Sequence, residues 1–244
     1  MTALRRKPQP PAPSASRGEG EVARAALREI FARLEAAYGA ETWHWSPDYV
    51  RGPVDVIVGA ILVQHTVWAN AERALEALRT ADALDMRVLA SMPDGDLLPL
   101  IRISGTPSVK ARRLRAIAST IETAGGMDAF LALTDDDLRD RLLATHGVGP
   151  ETADGIMLYA AGRRVFMVDA YTQRLFRRIG LGPAANRYGD WRRYFEDALP
   201  GGDAAMFQRC HAHIVLHSKA LCRANPLCGR CPLLDLCETG RVRA

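Results

Sequence analysis

His146-Gly147-Val148-Gly149-Pro150-Glu151-Thr152-Ala153-Asp154 joins two stretches of helical apolar spacing, with Leu138, Leu142 and Leu143 before it and Ile156, Met157 and Tyr159 after it. Gly147 and Gly149 permit backbone angles and close approach that a residue with a Cβ resists. Pro150 is pre-set for the first turn of a helix. The helix that starts there presents unpaired N–H groups and a partial positive end, which together make a seat for a phosphate oxygen. A plain Gly-Pro corner between packed helices would use some of the same residues; Thr152, Ala153 and the flanking pattern favour the gripping hairpin. Such a device holds a phosphate backbone without reading its sequence.

The texture on either side is helical. Val22, Leu27, Ile30, Phe31 and Leu34 recur at steps of three to five residues. Pro53 opens a helix through Ile57, Ile61 and Leu62, and Pro107-Ser108 opens one with Val109, Leu114 and Ile117 on its inner face. Thr134-Asp135-Asp136-Asp137 is a capped start leading to Leu138. No segment reads as a sheet, and Val165-Phe166-Met167-Val168 is a short apolar run, extended or a buried turn, ahead of Asp169. The fold class is all-α. Residues 1–20, with Pro8, Pro10, Pro11 and Pro13 and no apolar period, read as a disordered leader, solvated rather than bound.

The chain has 244 residues, enough for one large domain or two small ones, and its 48% apolar and 25% charged residues suit a water-soluble core-forming protein. No apolar run approaches the roughly 20 residues of a membrane helix and none has a secretory signal's flanks, so the expected location is cytoplasmic, with no membrane partner. The net charge of +4 is a mild excess. Its distribution is more telling: Arg102, Lys110, Arg112, Arg113 and Arg115 form one run, and Arg174, Arg177, Arg178, Arg187, Arg192 and Arg193 another. Both are expected to face phosphates.

Four of the five cysteines fall in Cys222-x5-Cys228-x2-Cys231-x5-Cys237. A reducing compartment disfavours disulfides there, and four soft ligands at short spacing fit tetrahedral zinc or an iron–sulfur cluster. Cys210 reads as a small buried residue. His211, His213 and His217 share helical spacing and read as hydrogen-bonded packing histidines rather than metal ligands.

Leu-x-x-His-Gly-Val-Gly-Pro-Glu-Thr-Ala, followed by Val168-Asp169-Ala170-Tyr171-Thr172-Gln173-Arg174, resembles the signature of the endonuclease III-like helix-hairpin-helix DNA glycosylase superfamily (HhH-GPD). Ile61-Leu62-Val63-Gln64-His65-Thr66 resembles that family's segment bearing a duplex-probing glutamine, and the likeness runs from about Pro53 to Cys237. The resemblance implies two helical domains flanking a DNA cleft: a central barrel with the hairpin, residues 53–163, and a second domain of residues 21–52 plus 164–244. It implies a [4Fe–4S] cluster on Cys222, Cys228, Cys231 and Cys237, in a basic loop to which Arg223 and Arg230 lend charge. The family's usual first gap is six residues and here it is five, which reads as a shortened loop with the cluster kept. Gln64, Gly147, Val148, Gly149 and Thr152 are then the DNA contacts, the duplex is the partner, and the chain acts as a monomer at the nucleoid.

The same resemblance makes Asp169 the catalytic carboxylate. As a base departs, the sugar gains positive charge, and a nearby carboxylate stabilises it and orients or deprotonates a water. Taken alone, an aspartate at that boundary is a helix cap. Bifunctional members carry a lysine two positions after the second hairpin glycine, where its amine forms a Schiff base with the sugar. Here that slot holds Glu151, with the family-like separation of 18 residues to Asp169. A carboxylate forms no imine, so the expectation is a monofunctional glycosylase. The competing readings are a glycosylase with abasic-site lyase activity, a catalytically impaired lesion-binding protein, and a zinc protein outside repair. Trp43, His44, Trp45 and Trp68 are candidate walls for a flipped base, with Trp45 and Trp68 preferred and an alkylated purine as the favoured occupant.

Overall fold

The computed structural model describes residues 17–39 and 51–243, with side chains from Glu21 onward. Helix α1 (Arg17–Tyr38) is followed by α2 (Pro53–Leu62), α3 (Trp68–Thr80), α4 (Met86–Ser91), α5 (Asp94–Ile101), α6 (Pro107–Thr123) and α7 (Met127–Leu131). Then come α8 (Asp135–Ala144), α9 (Pro150–Tyr159), α10 (Ala170–Ile179), α11 (Tyr188–Ala198), α12 (Ala204–Ala220) and α13 (Glu238–Arg243). There is no strand among the described residues, so the fold is all-α.

The helix starts follow local chemistry. Pro53, Pro107 and Pro150 each stand in the first turn, where their missing N–H costs nothing. Thr134 caps α8 by accepting from the Asp137 N–H at 3.2 Å, as its sequence predicts. Asp85, Asp169 and Asp203 cap α4, α10 and α12 in the same way. Gly180 closes α10 at φ 93°, a left-handed angle that glycine adopts without strain.

The helices sort into two packed groups. In one, α4 and α5 lie on α6, α2 lies on α3, α6 and α9, and α8 lies on α9. In the other, α1 lies on α11 and α12, and α10 on α12 and α13. Packing of α12 on α9 joins them beside the hairpin.

Between the groups runs the segment 165–168, which forms no regular element. Phe166 is fully buried, stacked on Phe195 with centroids 4.3 Å apart and edge-on to Phe207 at 5.2 Å. Its backbone still finds partners: the Phe166 N–H donates to Glu196 and the Val168 N–H to the Tyr188 hydroxyl, at 3.0 and 3.4 Å. This aromatic anchor sets the position of Asp169 three residues on.

The expected phosphate-facing arginine runs are corrected by the fold. Lys110 is 1% exposed and binds the Leu62 and Ser104 carbonyls. Arg113 reaches Gln64, and Arg115 binds Asp94 and the Met92 carbonyl. In the second run Arg187 and Arg193 pair with Asp190, and Arg192 with Asp154 and Glu196. Lys110, Arg113, Arg115, Arg174, Arg178 and Arg192 tie segments together, while Arg102, Arg112, Arg177, Arg187 and Arg193 stay exposed. Val22 also departs from expectation, at 70% exposure one turn above the buried Leu27.

Candidate active site

Asp169 is the N-cap of α10 and is almost wholly buried. Its Oδ1 accepts from both the Thr172 N–H at 2.7 Å and the Thr172 hydroxyl at 2.8 Å. Its Oδ2 faces His211 Nε2 at 3.5 Å. The other ring nitrogen of His211, Nδ1, lies 2.6 Å from the Tyr159 hydroxyl. Burial works to raise the Asp169 pKa, but His211 and the two Thr172 bonds outweigh it and hold the carboxyl below its ordinary value. An anion is thus kept in a site that excludes most water.

Glu151, in the first turn of α9, is close enough to feel that anion. Desolvation first and the Asp169 charge second push the Glu151 carboxyl upward, even though its side chain keeps an exposed face. Two carboxyls with opposite shifts therefore share one locality, where the proton resides on Glu151 in preference to Asp169. Neither lysine of the described chain is placed like a nucleophile for this site. Lys110 is buried on two carbonyls, and Lys219 is exposed at the far end of α12.

The hairpin lies at the start of the same helix. Gly147 has φ +85°, and a Cβ there would collide with the Arg113 side chain. Gly149 has an ordinary angle and open space where a Cβ would be. The position therefore makes no demand for a left-handed angle, and its Cβ face is open. No side chain caps α9, so its first amides remain available to an anion. Val148 is buried beneath the loop and turns its own N–H back to Thr145 at 3.1 Å.

Gln64 lies in the turn after α2, beside His65, which holds a left-handed φ of 57°. Its amide nitrogen donates to the Gly147 carbonyl and to Thr152 Oγ1, each at 3.1 Å, and its oxygen accepts from Arg113. The structure thus gathers Gln64, Gly147 and Thr152 into one network and places Glu151 near Asp169. Trp45, with Trp43 and His44, lies outside the described residues. Trp68 opens α3 half-buried against the core, its indole N–H bonded to Glu72.

His211, Tyr159 and Arg113 are the residues that the sequence did not assign to the site. Tyr159 and His211 are 52 positions apart, and only the packing of α12 on α9 joins them. His213 Nε2 meets the Gly39 carbonyl; His217 Nδ1 meets the Tyr38 hydroxyl, while its Nε2 stands 3.6 Å from Cys231 Sγ on the wall of the cysteine cavity.

Cys222, Cys228, Cys231 and Cys237 line one apolar cavity with Leu175 and Ile179. Burial first, then the neighbouring thiols, raises the pKa of Cys231 and Cys237. The structure also directs donors at sulfur: the Gly240 N–H reaches Cys237 Sγ at 3.3 Å and Arg178 reaches Cys222 Sγ at 3.4 Å. Four sulfurs around one cavity, with N–H donors aimed at two of them, fit a cationic group bound as thiolates. Among the described residues no three His, Cys, Asp or Glu side chains gather tightly enough for a single metal ion. Cys210 is buried on α12, outside this cavity, its thiol pushed up to about 12 by desolvation.

Comparison with known proteins agrees with this geometry. The family model described as HhH-GPD superfamily base excision DNA repair protein matches residues 58–200. MJ1434 of Methanocaldococcus jannaschii, provisionally named a DNA repair glycosylase, is 40% identical over 86% of this chain and 95% of its own length. The crystal structure of H. pylori 3-methyladenine DNA glycosylase (MagIII) bound to 1,N6-ethenoadenine superposes with a TM-score of 0.68 at 25% identity, covering 81% of this chain and 97% of that one. The fold of a non-covalent endonuclease III–DNA complex matches with a TM-score of 0.74 at 20% identity, over 90% and 97% of the two chains. The hairpin, the buried aspartate behind it and these likenesses agree: the chain belongs to the HhH-GPD superfamily of base excision DNA repair proteins.

Proposed function

We propose that the protein is a monofunctional DNA glycosylase, acting as a monomer on duplex DNA and hydrolysing the N-glycosidic bond of a damaged or mispaired base. The observation that carries this reading is the pairing of an anionic, buried Asp169 with Glu151, where a lyase would present an amine. Asp169 faces the sugar and stabilises the positive charge that grows as the base leaves. Water completes the hydrolysis. Gly147, Val148, Gly149 and the first amides of α9 grip the phosphate beside the extruded nucleotide, with Thr152 and Gln64 bracing that grip. The boundary between the two packed helix groups, 53–163 against 21–52 plus 164–244, is where the duplex enters. Trp68 is the described candidate wall of the base pocket, and MagIII's ethenoadenine complex favours an alkylated or bulky purine there.

Cys222, Cys228, Cys231 and Cys237 would hold a [4Fe–4S] cluster, whose metal–thiolate bonds fasten the C-terminal segment to α10 and α12. Four thiols spread around a cavity suit a cluster better than zinc, which draws its ligands to about 2.3 Å from one point.

The test is base release from duplexes carrying a G·T mismatch, 1,N6-ethenoadenine or methylated purines, run beside borohydride trapping on an abasic duplex. Release of a base without a trapped covalent complex is the expected result. A borohydride-trapped adduct overturns the monofunctional reading, and full release by Asp169→Asn overturns the role of Asp169.

A further inference from the structure

Asp169 divides its two oxygens between different partners. Oδ1 is held by the N–H and hydroxyl of Thr172, in the same turn of chain. Oδ2 looks across to α12, where His211 Nε2 stands 3.5 Å away with no other partner. His211 is 6% exposed, so water does not satisfy that nitrogen. A bare lone pair on Nε2 would repel the carboxylate, so Nε2 carries a proton. On the far side of the ring the Tyr159 hydroxyl sits 2.6 Å from Nδ1. Burial, then the Asp169 charge, raises the Tyr159 pKa and keeps it a phenol, able to donate. The Tyr159 hydroxyl also stands 3.5 Å from the Gln208 carbonyl; given to the nearer Nδ1, its proton leaves Nε2 as the ring's donor toward Asp169.

We propose that Tyr159 and His211 form a relay that fixes the Nε2–H tautomer and aims it at Asp169 Oδ2, making both positioning residues for the carboxylate of the reaction. The inference rests on the reading of Asp169 given above. The groups facing Asp169 are Thr172 from its own helix, Glu151 and Tyr159 from α9, and His211 from α12. No proton moves along the relay; it holds a dipole in place. Its consequence is a division of labour. A carboxylate held by two Thr172 donors and faced by the His211 Nε2–H is a weak base, so Asp169 acts by supporting the sugar's charge.

The relay is testable without knowing the excised base. Long-range proton–nitrogen NMR correlations on the whole chain, labelled with nitrogen-15 histidine and assigned by loss of the signal in His211→Gln, report the ring tautomer. A ring protonated at Nε2 and bare at Nδ1, and loss of that fixed tautomer in Tyr159→Phe, support the proposal. An Nδ1–H ring, an imidazolium at neutral pH, or no change in Tyr159→Phe overturns it.

Single-turnover release from the G·T, ethenoadenine and methylated duplexes supplies a second readout. His211→Ala should move the acid limb of the pH profile upward and lower release tenfold or more at pH 6, with affinity for an abasic duplex within twofold. His211→Gln, whose amide N–H can take the place of Nε2–H, should restore the limb. An unmoved limb in His211→Ala, or no recovery in His211→Gln, sinks the relay. Asp169→Asn separates the two ideas: an active Asp169→Asn removes the role of Asp169, whereas an inactive one beside an unaffected His211→Ala removes the relay alone.

Discussion

Gln64 binds the Gly147 carbonyl and the Thr152 hydroxyl, at 3.1 Å each, so the turn after α2 and the hairpin behave as one piece. Arg113 completes the unit by donating to the Gln64 oxygen while its stem covers the Cβ-free face of Gly147. The hairpin is therefore shaped from beneath by two side chains that precede it in sequence. A duplex-probing role for Gln64 requires breaking these bonds when DNA arrives.

Gln64→Ala leaves the Gly147 carbonyl and the Arg113 guanidinium without their partner in a half-buried site. The expected cost is about 1–3 kcal/mol of stability, read from denaturant midpoints. Combined with Arg113→Ala the losses should fall short of additive by roughly 0.5–3 kcal/mol, because the first change already breaks the shared bond. Simple additivity would show that the two side chains act separately. Affinity for an abasic duplex should fall in both single variants.

Glu151→Lys places an amine in the slot that bifunctional relatives use. The expected outcome is a borohydride-trapped complex on abasic DNA that the natural protein lacks. Asp169→Asn in the same background should weaken trapping, since the aspartate supports the sugar's charge. A variant that binds abasic DNA yet never traps would show that position 151 does not reach the sugar.

Glu151 also leaves a trace in stability. Its folded-state pKa is raised by desolvation and by Asp169, so the folded chain binds this proton more tightly than the unfolded chain. Stability from this site is present below the ordinary glutamate range and is lost as pH rises through the raised value. Glu151→Gln should therefore melt higher than the natural protein at pH 7, with the gap closing as the pH falls. A gap that widens in acid would contradict the sign of the shift.

Much of this architecture is legible in sequence because it is local. The Thr134 cap, the three prolines at helix starts and the glycine corner each act within a turn of chain, and the structure shows them where the pattern puts them. Asp169 was open to two readings, helix cap or catalytic acid. The cap is real, and it is what holds one carboxylate oxygen in place. What stayed hidden depends on contacts between distant segments. Periodicity says that His211 and Tyr159 lie on packed helices, but not that they meet each other beside Asp169. Runs of arginine are equally mute about partners, and several of these turned inward to Asp154 and backbone carbonyls. Lys110 shows the limit plainly: it reads as a surface cation and is a buried clamp.

That clamp predicts its own pH signature. Burial first, then Arg113, lowers the Lys110 pKa from 10.5 to about 8. The unfolded chain thus binds more protons between those values, and this site adds stability as pH rises from about 8 to 10.5. Lys110→Met abolishes that slope and strands the Leu62 and Ser104 carbonyls, at a cost of about 1–3 kcal/mol. Thermal melts of both proteins across this range make the comparison. Parallel pH curves would mean that Lys110 is not buried as a donor.

Arg178 is the final residue to interrogate, because it ties the cysteine segment to α10. Its guanidinium donates to the carbonyls of Cys222, Arg223 and Ala224 at 3.2, 2.7 and 3.0 Å, while its own carbonyl accepts from Cys237 Sγ at 3.2 Å. Arg178 thus fastens the entry of the segment that carries the four thiols, while the Cys237 bond lasts only as long as that thiol keeps its proton. Arg178→Ala removes the three carbonyl contacts and the donor facing Cys222 Sγ, freeing the segment's entry. Arg178→Lys keeps the charge but lacks the planar fork that spans several oxygens, so it should rescue only in part. The measurements are iron content and brown colour of the purified protein, with melting temperature alongside. The expected order for all three is natural protein, then Arg178→Lys, then Arg178→Ala. Cys231→Ser, which removes a ligand outright, sets the floor. Full iron and an unchanged melt in Arg178→Ala would show that the thiols organise themselves without this brace.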